Sequence, residues 1–188
     1  MAAPLKHALA LAAALALALT LTTVFNRLWR EDIDANRRDY HQRLLSEVLH
    51  GVEHQKLIRE DHAAVSAKTS RVLELWRAEL NGKTAAIVVR ASVHGYSGEI
   101  IFVAAFDTNG VRIQSRIARH VETPGIGDFL SAPDGGERAI QGVSGATITS
   151  TAVAGGVGEI GEWIKTRCAG GVCSLQNNSQ NDNSEELK

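Results

Sequence analysis

The chain has 188 residues, and its 20 Lys and Arg against 21 Asp and Glu exclude the basic balance typical of a nucleic-acid-binding domain. Two cysteines are too few for a disulfide-built small fold or a paired-cysteine zinc site. Hydrophobic residues reach 44%, inflated by an N-terminal run of Ala and Leu, and the remainder of the chain suits one ordinary domain with flanks.

Residues Ala8 to Phe25 carry no charge. As a helix this stretch reaches about 27 Å, close to the roughly 30 Å of a bilayer core. Leu9, Leu11, Leu15, Leu17, Leu19, Leu21, Val24 and Phe25 supply its apolar surface, and Trp29 suits a water interface. A cleaved signal peptide shares the leading Lys6 and the Leu/Ala core, but Thr-Val-Phe-Asn-Arg gives no small-x-small cleavage site. The expectation is a retained membrane helix. Arg27, Arg30, Arg37 and Arg38 lie on its C-terminal side and only Lys6 precedes it, so charge alone slightly favours a cytoplasmic domain.

Residues 31–65 predict a helix, since Ile33, Tyr40, Leu44, Leu45, Val48, Leu49 and Val52 recur at three- and four-residue steps. His50 and His54 lie four apart and could share a helix face, but no Cys or carboxylate pattern completes a metal site, so solvated histidines are the better reading. From residue 84 the period becomes two. Thr84–Ser92, Glu99–Phe106 and Val111–Ile117 predict three strands of an antiparallel meander with one wet face, and Asn109-Gly110 marks a tight turn. Pro124 to Gly145 reads as loop. Val153, Val157, Ile160, Trp163 and Ile164 then form the stripe of a helix ending near Arg167. The polar tail after Cys173 has little to bury and is expected to be disordered.

Two segments carry candidate chemistry. Ser144-Gly145-Ala146-Thr147-Ile148-Thr149-Ser150 stands where a helix should start, so small residues and free N–H groups suit a phosphate. Without a Gly-Lys-Ser/Thr element it is no nucleoside-triphosphate loop. An ordinary helix cap on Thr149 or Ser150 is the plainer alternative. His120 to Asp128 comes directly after the third strand, and its Pro124-Gly125 specifies a tight turn.

The order Gly95-Tyr-Ser-Gly98, strand hairpin, Glu122-Thr-Pro-Gly-Ile-Gly127, Ser144-Gly-Ala-Thr147, behind one apolar segment, resembles the G subunit of the Rnf ion-translocating electron-transport complex. The resemblance covers about residues 5–165. The C subunit of the sodium-pumping NADH:quinone reductase shares the attachment motif but is usually longer. The resemblance implies an α+β fold: one N-terminal membrane helix, then a flavin domain with an antiparallel sheet and flanking helices. It implies FMN bound covalently through its phosphate to Thr147, with Ser144, Gly145, Ala146 and Thr149 around the phosphate and Glu122, Thr123, Pro124 and Gly125 beside the flavin. Thr149 is expected to cap the helix or hydrogen-bond the phosphate.

Two departures stand out. Gln141 occupies the place where the motif commonly has Asp, and the stretch from Asp128 to Ser144 is short for the family.

The implied role is an electron relay without a general acid or base, whose partners are the other Rnf subunits, membrane lipid and, during maturation, a flavin transferase. The implied location is a bacterial inner membrane, with the flavin domain on the periplasmic side. There Cys168 and Cys173 could form a disulfide, although two separate thiols fit the sequence nearly as well. The expected organisation is a cytoplasmic N-terminus and membrane helix over 1–30, a helical stalk or linker over 31–80, the FMN domain over 81–167 and the tail over 168–188. A non-redox, membrane-tethered scaffold is the competing class, distinguished by lack of colour.

Overall fold

The computed structural model describes residues 3–61, 67–168 and 173–175; His62 and the tail beyond Leu175 lie outside them. The chain divides into two compact units, one ending at Arg43 and one beginning at Leu44.

In the first unit, helix α1 (Ala3–Val48) begins and continues without a break. Among the described residues it is the helix long and apolar enough to cross a membrane. Leu9, Leu15, Leu21 and Phe25 are all exposed on it. Its threonines do not present free hydroxyls: Thr20, Thr22 and Thr23 donate to the carbonyls of Ala16, Ala18 and Leu19 at 2.7–3.0 Å. Such internal pairing is what an apolar medium demands of a polar side chain.

The second unit is built on a five-stranded sheet in the order β1-β2-β3-β4-β5, every neighbour antiparallel. The strands are β1 (Lys56–Glu60), β2 (Ser70–Leu80), β3 (Lys83–His94), β4 (Glu99–Phe106) and β5 (Arg112–Arg119). The helix expected over 31–65 therefore stops at Val48, and residues 56–60 and 70–80, expected within a helical stalk or linker, are strands of the sheet. Asn81 and Gly82, both at positive φ (52° and 73°), close the β2–β3 hairpin. That is the same Asn-Gly turn signal read at 109–110, and it applies equally here. Because α1 ends first, His50 and His54 do not share a helix face. His54 Nδ1 instead lies 3.0 Å from the Val52 carbonyl oxygen.

The expected wet face also needs correction. After Glu99, every residue of β4 is buried. One face carries Val89, Val93, Ile100, Phe102, Ala104 and Phe106 under helix α3 (Thr147–Arg167), whose Val153, Val157, Ile160 and Ile164 meet them. The other face carries Ala86, Val88, Val103 and Ala105 under Leu44, Val48 and Leu49. A central strand covered on both sides loses alternation and becomes continuously apolar; the edge strands β1 and β5 keep a half-exposed pattern.

Residues 124–145 are not all loop. A short 3-10 helix (Asp128–Ser131) and helix α2 (Gly135–Gln141) lie within them. Gly135 and Gly136 permit this: a Cβ at either would stand 2.5–2.7 Å from the backbone oxygen of Leu130 or Ser115. At its far end α3 is stapled by a disulfide between Cys168 and Cys173. The returning chain pairs Ser174 N with Arg167 O at 3.0 Å and buries Leu175 in the α3-side core.

Candidate flavin site

Three segments converge where α3 begins: the β3–β4 turn at 95–98, the turn at 121–128 after β5, and the approach to α3 at 143–147. Glu122 joins them. Its carboxylate, 7% exposed, accepts the Ser97 N–H at 3.2 and 3.3 Å and the Thr149 hydroxyl at 2.9 Å. Gly95 and Gly127 must lack side chains because Glu122 fills their space. A Cβ on Gly95 would lie 2.3 Å from Glu122 Oε1, and one on Gly127 would lie 2.3 Å from Glu122 Cβ. Ser97 and Thr123 share a further hydroxyl contact at 2.7 Å. The second turn is closed by the Thr123 carbonyl, which accepts from Ile126 N and Gly127 N at 3.1 and 2.9 Å, and by Asp128, which accepts from Gly125 N at 3.0 Å.

This geometry separates the two candidate threonines. Thr149 is fully buried and its hydroxyl is committed to Glu122, so it neither caps α3 nor faces outward. Ser150 is no cap of the first turn either; its Oγ accepts the Val143 N–H at 3.2 Å and so bends the approach onto the helix. Thr147, the first residue of α3, is exposed. The N-cap position belongs to Ala146, which has no polar side chain, so no side-chain cap satisfies the N–H groups of the first turn. Gly145 reaches this point at φ +83°, and a Cβ there would meet nothing within 4 Å. An exposed hydroxyl, uncapped N–H groups and open space thus coincide at Thr147. That combination favours an anion on electrostatic grounds.

Beside Thr147 opens a cleft of about 360 Å³ lined by Tyr96, Ile126, Gly145, Ala146, Thr147, Ile148 and Thr149. Of the residues singled out in the sequence, Gly145, Ala146, Thr147 and Thr149 border it. Ser144 and Gly125 border a neighbouring cleft with Asp128 and Arg138. Glu122 and Thr123 act behind the cleft as supports, and Pro124 is exposed in the turn. Tyr96, Ile126 and Ile148 were missed as site residues. The available signal was a large aromatic residue in a glycine-bounded hairpin turn, where nothing local requires one. Gln141, at the motif position where the resemblance has Asp, ends α2 and is exposed.

The fold and this site define a flavin-nucleotide-binding domain: the model of the FMN-binding domain family matches residues 95–160, the span that holds all three converging segments. The G subunit of the ion-translocating oxidoreductase complex of Vibrio vulnificus is 25% identical over 190 residues, covering 86% of this chain and 89% of the relative. The protein of the same name from Salmonella typhimurium is 28% identical over 131 residues, 66% of this chain and 62% of the relative. The G subunit of the proton-translocating ferredoxin:NAD(+) oxidoreductase complex of Clostridium ljungdahlii is 33% identical over 114 residues, 50% of this chain and 62% of the relative. The chain thus spans about 62% of the length of the Salmonella and Clostridium relatives. The chain is similar to the G subunits of these complexes, and its residues 95–160 match the FMN-binding domain family.

Proposed function

We propose that this protein is a membrane-anchored electron-relay component of an Rnf-type complex, carrying FMN as a phosphate ester of Thr147. The observation that carries the reading is the exposure of Thr147 at an uncapped helix start beside an apolar cleft, within the span matched by the FMN-binding family. The site fits the group: Gly145 and Ala146 leave room for a phosphate, the first-turn N–H groups of α3 offset its charge, and the cleft offers a flavin ring apolar walls.

FMN, when bound, supplies one- and two-electron chemistry. The chain's own contribution is placement. Thr147 fixes the attachment atom, Glu122 holds the two turns against α3, and Thr149 ties α3 to that carboxylate from inside. The protein relays electrons within the complex and turns over no soluble substrate of its own. Ala8–Phe25 anchors it in a bacterial inner membrane and contains no ionisable residue, so ion passage falls to partner subunits. The flavin domain lies on the periplasmic side, where a flavin transferase acts on Thr147. The disulfide between Cys168 and Cys173 supports an oxidising compartment.

The test is the purified full chain made alongside a working flavin transferase. It should absorb in the blue, retain flavin fluorescence in a denaturing gel, and stay in the membrane pellet through carbonate washing. A colourless protein favours the scaffold reading and overturns this one.

A further inference from the structure

Three clefts meet near Thr147, and they differ in chemistry. The first holds Tyr96, Ile126 and Ile148. The second, on the other flank of Thr147, holds Gln141, Ser144, Ser150 and Thr151. The third holds Asp128 and Arg138, with the Arg138 guanidinium 5.6 Å from the centre of the Phe129 ring, and Thr147 does not border it.

Only the first combines the attachment hydroxyl with large exposed apolar side chains: Tyr96 is 61% exposed, Ile148 58% and Ile126 39%. One such residue on a surface needs no explanation; three from separate segments facing one cleft are the mark of a ligand surface. Nor are they loosely held. The Tyr96 turn is closed by Gly95 N to Gly98 O at 2.8 Å and pinned through Ser97 to Glu122. The Ile126 turn is closed on Thr123, and Ile148 stands in the first turn of α3, which Thr149 fastens to the same carboxylate.

Resting on the attachment reading above, we infer that the cleft of Tyr96, Ile126 and Ile148 seats the tricyclic flavin ring, with Tyr96 as its aromatic contact. An electron-rich phenol beside a flavin quenches its fluorescence, and apolar walls shield the ring from water. The second cleft has no large exposed apolar side chain, and the third, which shares Ile126, is not bordered by Thr147, so neither takes the ring.

Covalent attachment makes this testable without relying on affinity or turnover, because occupancy stays fixed while the ring's surroundings change. Flavin content is read on a denaturing gel; fluorescence yield, iodide quenching and midpoint potential are read on the folded chain. Tyr96→Leu should keep the covalent flavin, raise folded-state fluorescence several-fold and shift the potential. Tyr96→Trp should restore quenching. Ile148→Thr should increase iodide access, whereas Arg138→Ala and Thr151→Ala should change none of these. Unchanged fluorescence and potential in Tyr96→Leu, or a response to Arg138→Ala in its place, overturns the ring assignment while leaving attachment intact. Absence of covalent flavin from the unsubstituted protein overturns the attachment reading first, and this inference with it.

Discussion

Helix α3 has two ends that use glycine in opposite ways. At its distal end Gly110, at φ +75°, is pressed against the helix: a Cβ on Gly110 would stand 2.0 Å from the Gly161 carbonyl oxygen, and one on Gly161 would stand 2.6 Å from that of Gly110. The polar groups of that turn are satisfied internally, with Asp107 accepting from Asn109 N and Val111 N at 2.9 and 2.8 Å. At the proximal end Gly145 has nearly the same φ, +83°, yet faces open space, an uncapped helix start and exposed apolar walls. One glycine is required by packing; the other leaves room. The same left-handed backbone thus serves close packing at one end of the helix and open space at the other.

The largest expected effect is at the open end. Thr147→Ala should abolish denaturation-resistant flavin fluorescence completely while leaving the circular dichroism spectrum intact, since the side chain is exposed. Thr147→Ser should attach less flavin, having lost the methyl that limits rotation. Full fluorescence in Thr147→Ala would remove the distinction between the two ends.

Next come substitutions that separate packing from vacancy. Gly110→Ala adds a collision with backbone to left-handed strain and should cost roughly 2–4 kcal/mol in chemical denaturation. Gly145→Ala carries only the conformational strain, about 1–2 kcal/mol. Equal losses would mean that the open space at Gly145 is filled.

Glu122 and Thr149 form the buried support of the open end. Glu122→Ala leaves the Ser97 N–H and the Thr149 hydroxyl without their acceptor and should cost about 2–3 kcal/mol. Thr149→Ala should cost about 1 kcal/mol and keep a covalent flavin in the gel assay. Loss of attachment in Thr149→Ala alone would promote Thr149 from support to attachment site.

Midway along α3, Glu159 anchors the start of β2. Burial raises the pKa of its carboxyl, but hydrogen bonds outweigh it: the backbone N–H groups of Lys68 and Thr69 and the hydroxyls of Thr69 and Ser70 donate to the carboxylate, and the net shift is downward. A depressed folded-state value means stabilisation present above the unfolded carboxyl value of about 4.3 and lost as pH falls through the folded one. The unfolding midpoint should therefore decline in acid more steeply in the native chain than in Glu159→Gln, and coincident pH profiles would count against the anchor.

Reducing the disulfide should have the smallest effect on flavin, none in the gel assay. It should lower stability by at most about 2–3 kcal/mol, because the loop it closes is short.

Much of this protein was legible without coordinates. An uncharged Ala/Leu run declares a helix long and apolar enough to span a bilayer because length and transfer free energy are local sums. The β4–β5 turn and the stripe of α3 declare themselves because turn chemistry and helical period are local too. Thr147 could be singled out as a candidate because a hydroxyl among small residues before an amphipathic helix is a sequence pattern.

Tertiary structure alone decided the rest. Residues 70–80 have no clean alternation, since the β2 register shifts between Val72 and Glu74, and pairing with β1 and β3 makes them a strand. The supposed wet face is covered because a segment remote in sequence, Leu44 to Leu49, packs on it. Thr149, expected from the chain to cap the helix or hydrogen-bond the phosphate, is bound instead by Glu122, whose partners Ser97 and Thr149 lie 25 and 27 residues away. Burial and hydrogen bonding are properties of converging segments, and no local pattern encodes which segments converge.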